Sequence, residues 1–146
     1  MESKAFSVAD QYGEEQLAGT MAGGLLHGAL RIYDQGAAQV SMQFAGGVAQ
    51  GPCVILHAPH RPMAKTHYQD GRLHGPAEYF AIDGHLVRRT HYRKGKLHGV
   101  QEDYYPDGVV CERATYANGM LDGEWLRFDL RGNRAERRMY AAGVPL

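Results

Sequence analysis

A period of 24 residues constrains this chain more than any other feature. Tyr68, Tyr92, Tyr116 and Tyr140 are 24 apart, and so are Gly71, Gly95, Gly119 and Gly143. The same step relates Leu73, Leu97 and Leu121; Gly75, Gly99 and Gly123; the aromatics Phe80, Tyr104 and Phe128; and Gly84, Gly108 and Gly132. A repeat of this length is one supersecondary unit that cannot bury its own apolar surface, so units must stack on their neighbours. Upstream, Phe44, Gly47 and Gly51 continue the register, but His60 stands where a turn glycine is due, so this unit is degenerate. A further unit, one residue shorter, runs from Met21 through Gly24, Leu26 and Gly28 to Tyr33 and Gly36. The expected organisation is a flexible N-terminal segment, 1–11, then a repeat domain, 12–146. Its units are about 21–43, 44–67, 68–91, 92–115 and 116–139, with a partial one at 140–146.

Two sets of turn signals alternate within the units. Asp70-Gly71, Lys94-Gly95 and Asn118-Gly119 interleave with Asp83-Gly84, Asp107-Gly108 and Arg131-Gly132. Glycine supplies the positive φ of tight hairpin turns, and the runs between the pairs have strand length. No stretch has a helical period. The fold class read from this is all-β, a single-layer antiparallel meander of tandem β-hairpins with about ten short strands. A register placing residues 81 and 86 beside a turn pairs Phe80 with Val87, Tyr79 with Arg88 and Glu78 with Arg89. Shifted by one unit, it pairs Tyr104 with Cys111, Glu102 with Arg113 and Asp103 with Glu112. Shifted again, it pairs Phe128 with Ala135 and Arg127 with Glu136. Both sides then carry apolar and charged residues, and neither reads as the dry face of a sandwich. The tyrosine column is expected to form a structural row over the glycine-rich turns.

The pattern Tyr-x-x-Gly-x-Leu-x-Gly, followed by an aromatic and a second glycine, resembles the MORN repeat. More closely it is similar to the variant in bacterial proteins of the YwqK antitoxin type. The resemblance runs over roughly residues 20–146. It implies a β-hairpin array that offers an extended surface to a partner, and it supplies the word antitoxin; fold alone does not fix function.

Glycine is 19 of 146 residues, and tyrosine (9) outnumbers phenylalanine (4), a composition of turns and of aromatics with a wet end. Sixteen Lys and Arg balance sixteen Asp and Glu, which argues against nucleic acid and against an anionic membrane as the partner. Residues 1–60 hold two basic and five acidic groups, a mild asymmetry. The N-terminus lacks the basic start and apolar run of a secretory signal, and the expected compartment is the cytoplasm. Cys53 and Cys111 occupy different repeat positions and read as two reduced, partly buried thiols.

Motifs for chemistry are sparse. His74 with His98 and His67 with His91 invite a metal, but equivalent positions sit two strands, roughly 10 Å, apart, and no converging ligand set is visible. Serine occurs only at positions 3, 7 and 41, and neither cysteine has a base and orienting acid beside it. The glycine-rich segments lack the Lys-Ser/Thr of a phosphate loop. The expectation is a non-enzyme with no cofactor and no metal. Lys65, Arg89, Arg113 and Arg137 form a ladder of positive charge at the repeat spacing. In the register above, Glu78 and Glu102 neutralise its middle rungs, whereas Lys65 and Arg137 face Val54 and Leu126.

Columns identical in every unit serve the fold; columns that differ are free to serve a partner. The columns Ala77, Gln101 and Trp125; Tyr79, Asp103 and Arg127; and Ala81, Tyr105 and Asp129 change character each time and share one expected face. The expected partner-binding residues are Tyr79, Arg88, Tyr105, Trp125, Arg127 and Arg137, types enriched at interface hot spots. The expected function is that of an immunity protein or antitoxin that binds a cognate bacterial toxin or effector. The alternative is a scaffold or adaptor associating with membrane phospholipid or a protein complex. Unpaired terminal strand edges add the expectation of a homodimer.

Overall fold

The computed structural model describes residues 2–146, and every regular element among them is a strand. The chain divides into two compact units, residues 1–72 and 73–146, taken here in turn. The first holds β1 (Ser3–Ala9), β2 (Glu15–Ala22), β3 (Leu25–Asp34), β4 (Ala37–Ala45), β5 (Val48–Ala49), β6 (Gly51–Ala58) and β7 (Arg61–Gln69), with β8 (Arg72–Leu73) at the division. The second holds β9 (Gly75–Phe80), β10 (Leu86–Arg93), β11 (Lys96–Leu97), β12 (Gly99–Tyr104), β13 (Val110–Ala117), β14 (Met120–Phe128), β15 (Arg134–Ala141) and β16 (Val144–Pro145). In each unit the long strands pair antiparallel in chain order, and the two-residue strands β5 and β11 pair only with the strand before them, β4 and β10. Each is the expected one-layer meander of hairpins. The number of strands exceeds the expected ten because a glycine break splits off two-residue strands such as Val48–Ala49 and because the N-terminus adds a hairpin.

Backbone chirality explains where the chain reverses. Asn118 and Gly119 have φ of 51° and 83°, the double positive φ of a type I′ turn, and the equivalent pairs at 23–24, 46–47, 70–71, 94–95 and 142–143 share it. The alternate turns at 10–14, 81–85, 105–109 and 129–133 are wider, whereas Gln35 and Gly36 make a further double-positive-φ pair between Asp34 and Ala37. At 105–109 the Tyr105 carbonyl accepts from Gly108 N–H at 2.9 Å, and Gly108 at φ 92° makes the bulge that closes the loop. His60, where that glycine is missing, takes φ 62° itself behind Pro59, whose ring presets the turn.

The expected register holds for Tyr79–Arg88, Glu78–Arg89, Glu102–Arg113, Asp103–Glu112 and Arg127–Glu136. Next to the wide turns it slips by one. Phe80 faces Leu86, Tyr104 faces Val110 and Phe128 faces Arg134, rather than Val87, Cys111 and Ala135. The extra bulge residue displaces the partner.

Residues 3–9, expected within a flexible segment, form the edge strand β1, paired with β2 from Ser3–Ala22 to Val8–Leu17. The turn between them, Asp10 to Glu14, repeats the wide-turn pattern: Gly13 N–H donates to the Asp10 carbonyl at 3.0 Å, and Asp10 Oδ1 accepts from Tyr12 and Glu14 N–H. Met1 lies outside the described residues.

Few side chains are fully buried, as one layer requires. Those that are form short rows: Cys53, Ala64 and Thr66 in the first unit; Ala77, Thr90, Gln101, Ala114 and Leu126 in the second. The repeat glues itself at the type I′ turns. Gly119 N–H donates to the Leu97 carbonyl one unit back at 2.8 Å, and Gly95 and Gly143 do likewise to Leu73 and Leu121 at 2.7 Å. A side chain holds the residue before each of these glycines: His74 Nδ1 accepts from Lys94 N–H, His98 Nδ1 from Asn118 N–H and Asp122 Oδ1 from Ala142 N–H. In the first unit Gln50 Oε1 holds Asp70 N–H in the same way.

Candidate functional site

Cross-strand partners point to the same side of a sheet, so the register assigns the faces. In the second unit one face carries Tyr79 and Arg88, Asp103 and Glu112, Arg127 and Glu136, with Trp125 beside Arg138. Its polar atoms are largely paired. Arg88 grips Asp103 with Nε to Oδ1 at 2.6 Å and Nη2 to Oδ2 at 2.9 Å, and that carboxylate raises the guanidinium pKa above its ordinary value. Trp125 Nε1–H donates to Glu112 at 2.9 Å, and the Arg138 guanidinium lies 5.5 Å from the Trp125 ring centre. Glu136 draws in both Arg127, at 3.2 Å, and Arg138, at 2.5 Å. The Tyr79 and Tyr92 hydroxyls hydrogen-bond at 3.1 Å.

Of the expected partner-binding residues, Tyr79, Arg88, Trp125 and Arg127 therefore fall on one face, with Tyr79 and Arg88 directly opposed. Tyr105 does not join them on a strand. It opens a wide turn, and its hydroxyl donates to the Phe128 carbonyl at 2.8 Å. Ala81 and Asp129 sit in the equivalent turns, so this column leaves the expected shared face. Ala77 and Gln101 are 1% and 7% exposed and serve packing, although their column varies.

Arg137 belongs to the opposite face, with the ladder. Arg89 reaches Glu78 at 3.2 Å and Arg113 reaches Glu102 at 2.9 Å, and Arg113 also lies over the Phe128 ring. Arg137 faces Leu126 in register, yet its Nε bonds Glu124 at 2.7 Å, contrary to the expectation of no acid partner. Glu124 stands one pair along the strand, within diagonal reach of a long side chain.

The first unit holds a surface that the one-sided variation did not signal. Following the pairs Phe6–Gly19–Leu30–Met42 and Val8–Leu17–Ile32–Val40–Ile55–Ala64 across the strands gives a band with no charged residue. The opposite face along the same strands reads Ser7, Ala18, Arg31, Ser41, Val54 and Lys65. The repeat columns make the contrast sharp. Leu17, Val40 and Ala64 in the first unit become Arg88, Glu112 and Glu136 in the second; Ile32 and Ile55 become Tyr79, Asp103 and Arg127. Alternation at Leu30/Ile32 and at Val40/Met42 is the trace of this band in the sequence.

Burial raises the pKa of the Cys53 thiol, which sits across from Thr66, and of the Cys111 thiol, so both favour the neutral form. Neither forms a disulfide. Among the described residues no three His, Cys, Asp or Glu side chains are grouped to hold a metal, and His74 and His98 spend Nδ1 on the turn clamps.

Leu97 to Asn118 holds β12, the wide turn at 105–109 and β13. Residues 97–118 match the MORN repeat variant. With the column register, the match supports a MORN-repeat protein and a module that binds protein or membrane. No curated protein matches the chain. A solved structure titled "Crystal Structure of TarM" aligns over 80% of this chain and 20% of that one, at 12% identity and a TM-score of 0.34. The chain thus spans about a fifth of its length, and so low a score carries no argument.

Proposed function

We propose that this MORN-type array is a non-catalytic protein-binding module, and specifically an immunity protein or antitoxin that occludes a cognate bacterial toxin or effector. The observation that supports it most is the division of labour among columns. Repeated Gly, Tyr and Leu positions are spent on turns, cross-strand pairs and clamps. The columns that change collect the Tyr, Trp and Arg of the second unit on one face. Arg and aromatic groups held in place by neighbours lose little freedom on docking, which favours affinity. The antitoxin identity rests on the resemblance of the repeat to the YwqK type. A protein partner is preferred to a lipid surface because Arg88, Arg89, Arg113, Arg127, Arg137 and Arg138 are all matched to carboxylates within their own sheet.

The test is co-expression with the product of the adjacent reading frame. The expected result is a product that arrests growth when expressed alone, is tolerated with this chain, and co-purifies with it. A harmless neighbour that does not co-purify overturns the antitoxin reading.

A further inference from the structure

The uncharged band of the first unit calls for an occupant. Phe6, Val8, Leu17, Leu30, Ile32, Val40, Met42, Ile55 and Ala64 lie on one side of β1 to β4, β6 and β7. They are covered only in part: Val8 is 52% exposed and Ile32 41%, whereas Ala64 is buried and the others are half-buried. A contiguous apolar strip with an acidic row along one end offers a contact to a partner of complementary shape and charge.

Its dimensions select the shape of the partner. The band crosses six strands, roughly 24 Å at about 4.8 Å each, but is only two same-side residues deep, roughly 10 Å with side chains. An α-helix is about 10–12 Å across, and about 16 residues cover 24 Å. A second sheet packed face to face needs breadth in both directions, and a standard interface covers about 800 Å² per partner; the band has roughly a third of that.

Charge selects its chemistry. Along the end of the band marked by the turns after β1, β3 and β6 stand Asp10, Glu14, Glu15 and Asp34, against the single cation Arg61. Glu14, Glu15 and Asp34 are exposed. A second copy would bring the same acidic row.

We infer that the first unit docks one amphipathic α-helix of a partner protein, lying across the strands with its apolar stripe on the band and basic residues toward Asp10, Glu14, Glu15 and Asp34. This deepens, and rests on, the reading of the chain as a binding module. It places the helix contact on Phe6, Val8, Leu17 and Ile32, residues other than those of the charged and aromatic face of the second unit.

The probe is a synthetic peptide of about 16 residues, leucine and lysine at helical spacing, titrated into the full chain by fluorescence anisotropy. Controls are a scrambled peptide of the same composition and a leucine–glutamate peptide. The expected result is saturable binding of the leucine–lysine helix alone, weakened about tenfold or more by Ile32→Glu and by Val8→Glu. Val8 is on an edge strand, so that variant keeps the test valid if Ile32→Glu unfolds. Ser7→Glu, on the opposite face, should leave binding unchanged, and Glu15→Lys with Asp34→Lys should weaken it. Equal binding of the scrambled or acidic peptide, or full binding by folded Val8→Glu, overturns the inference. So does a dimer in sedimentation equilibrium that Val8→Glu dissociates, since a second copy then fills the band. If the peptide fails but the neighbouring gene product still co-purifies, the binding-module reading stands and only the helix site falls.

Discussion

Tyr116 stands directly across the sheet from Gly99, and the repeat places Tyr140 opposite Gly123, Tyr92 opposite Gly75 and Tyr68 opposite Gly51. The glycine takes φ 103° as the chain leaves the turn, a conformation that favours glycine, and the tyrosine is its cross-strand partner. Burial raises the Tyr116 hydroxyl pKa, in keeping with a partly dry setting. Tyr116→Ala should cost about 2–3 kcal/mol, below the ~3–5 kcal/mol of a fully buried aromatic because the ring is half-buried. Tyr116→Phe should cost much less. Urea denaturation measures both; equal losses would mean that the hydroxyl, not ring packing, matters.

His98 clamps the turn of the next unit by accepting Asn118 N–H. His98→Ala should cost about 1 kcal/mol, the net worth of one hydrogen bond. His98→Gln should recover most of it, because Gln50 performs the same task for Asp70. Failure of glutamine to rescue would remove the clamp from the account.

The Arg88–Asp103 grip is short and bidentate, but Arg88 is half-exposed and water screens the pair. A double-mutant cycle should therefore return a coupling of about 0.5–1 kcal/mol, falling with added salt. A coupling of several kcal/mol would show the face to be drier than the geometry implies.

Burial disfavours the Cys53 thiolate, so its pKa lies above the ordinary thiol value. Raising the pH through the ordinary thiol range should leave Cys53 slow to alkylate in the folded chain, its rate still climbing where the unfolded chain has levelled off. Mass spectrometry after iodoacetamide treatment, with and without urea, reads this directly. Equal rates in both states would contradict the burial.

The turns and most of the register were legible in the sequence. The glycine spacing gave the turns, since positive φ leaves few residue choices, and the turns gave the register through Tyr79–Arg88 and Glu102–Arg113. Partners next to the wide turns slipped because a bulge residue such as Gly108 is not countable from periodicity alone. Arg137 found Glu124 because diagonal contacts depend on side-chain reach rather than on register. The apolar band escaped because its alternation spans β1, outside the detectable repeat, and units offset by a shortened period. Ala77 and Gln101 varied without being exposed, so variation by itself did not separate packing from recognition.

The central claim is that this chain works by binding a protein through its variable columns. Its most direct test is isothermal titration of the purified neighbouring gene product with the wild-type chain and with Trp125→Ala and Arg127→Ala. The account predicts a stoichiometric complex, weakened about tenfold or more by at least one substitution while the urea midpoint of the free variant stays close to wild type. No heat of binding with the wild-type chain, or undiminished affinity in both folded variants, would contradict it.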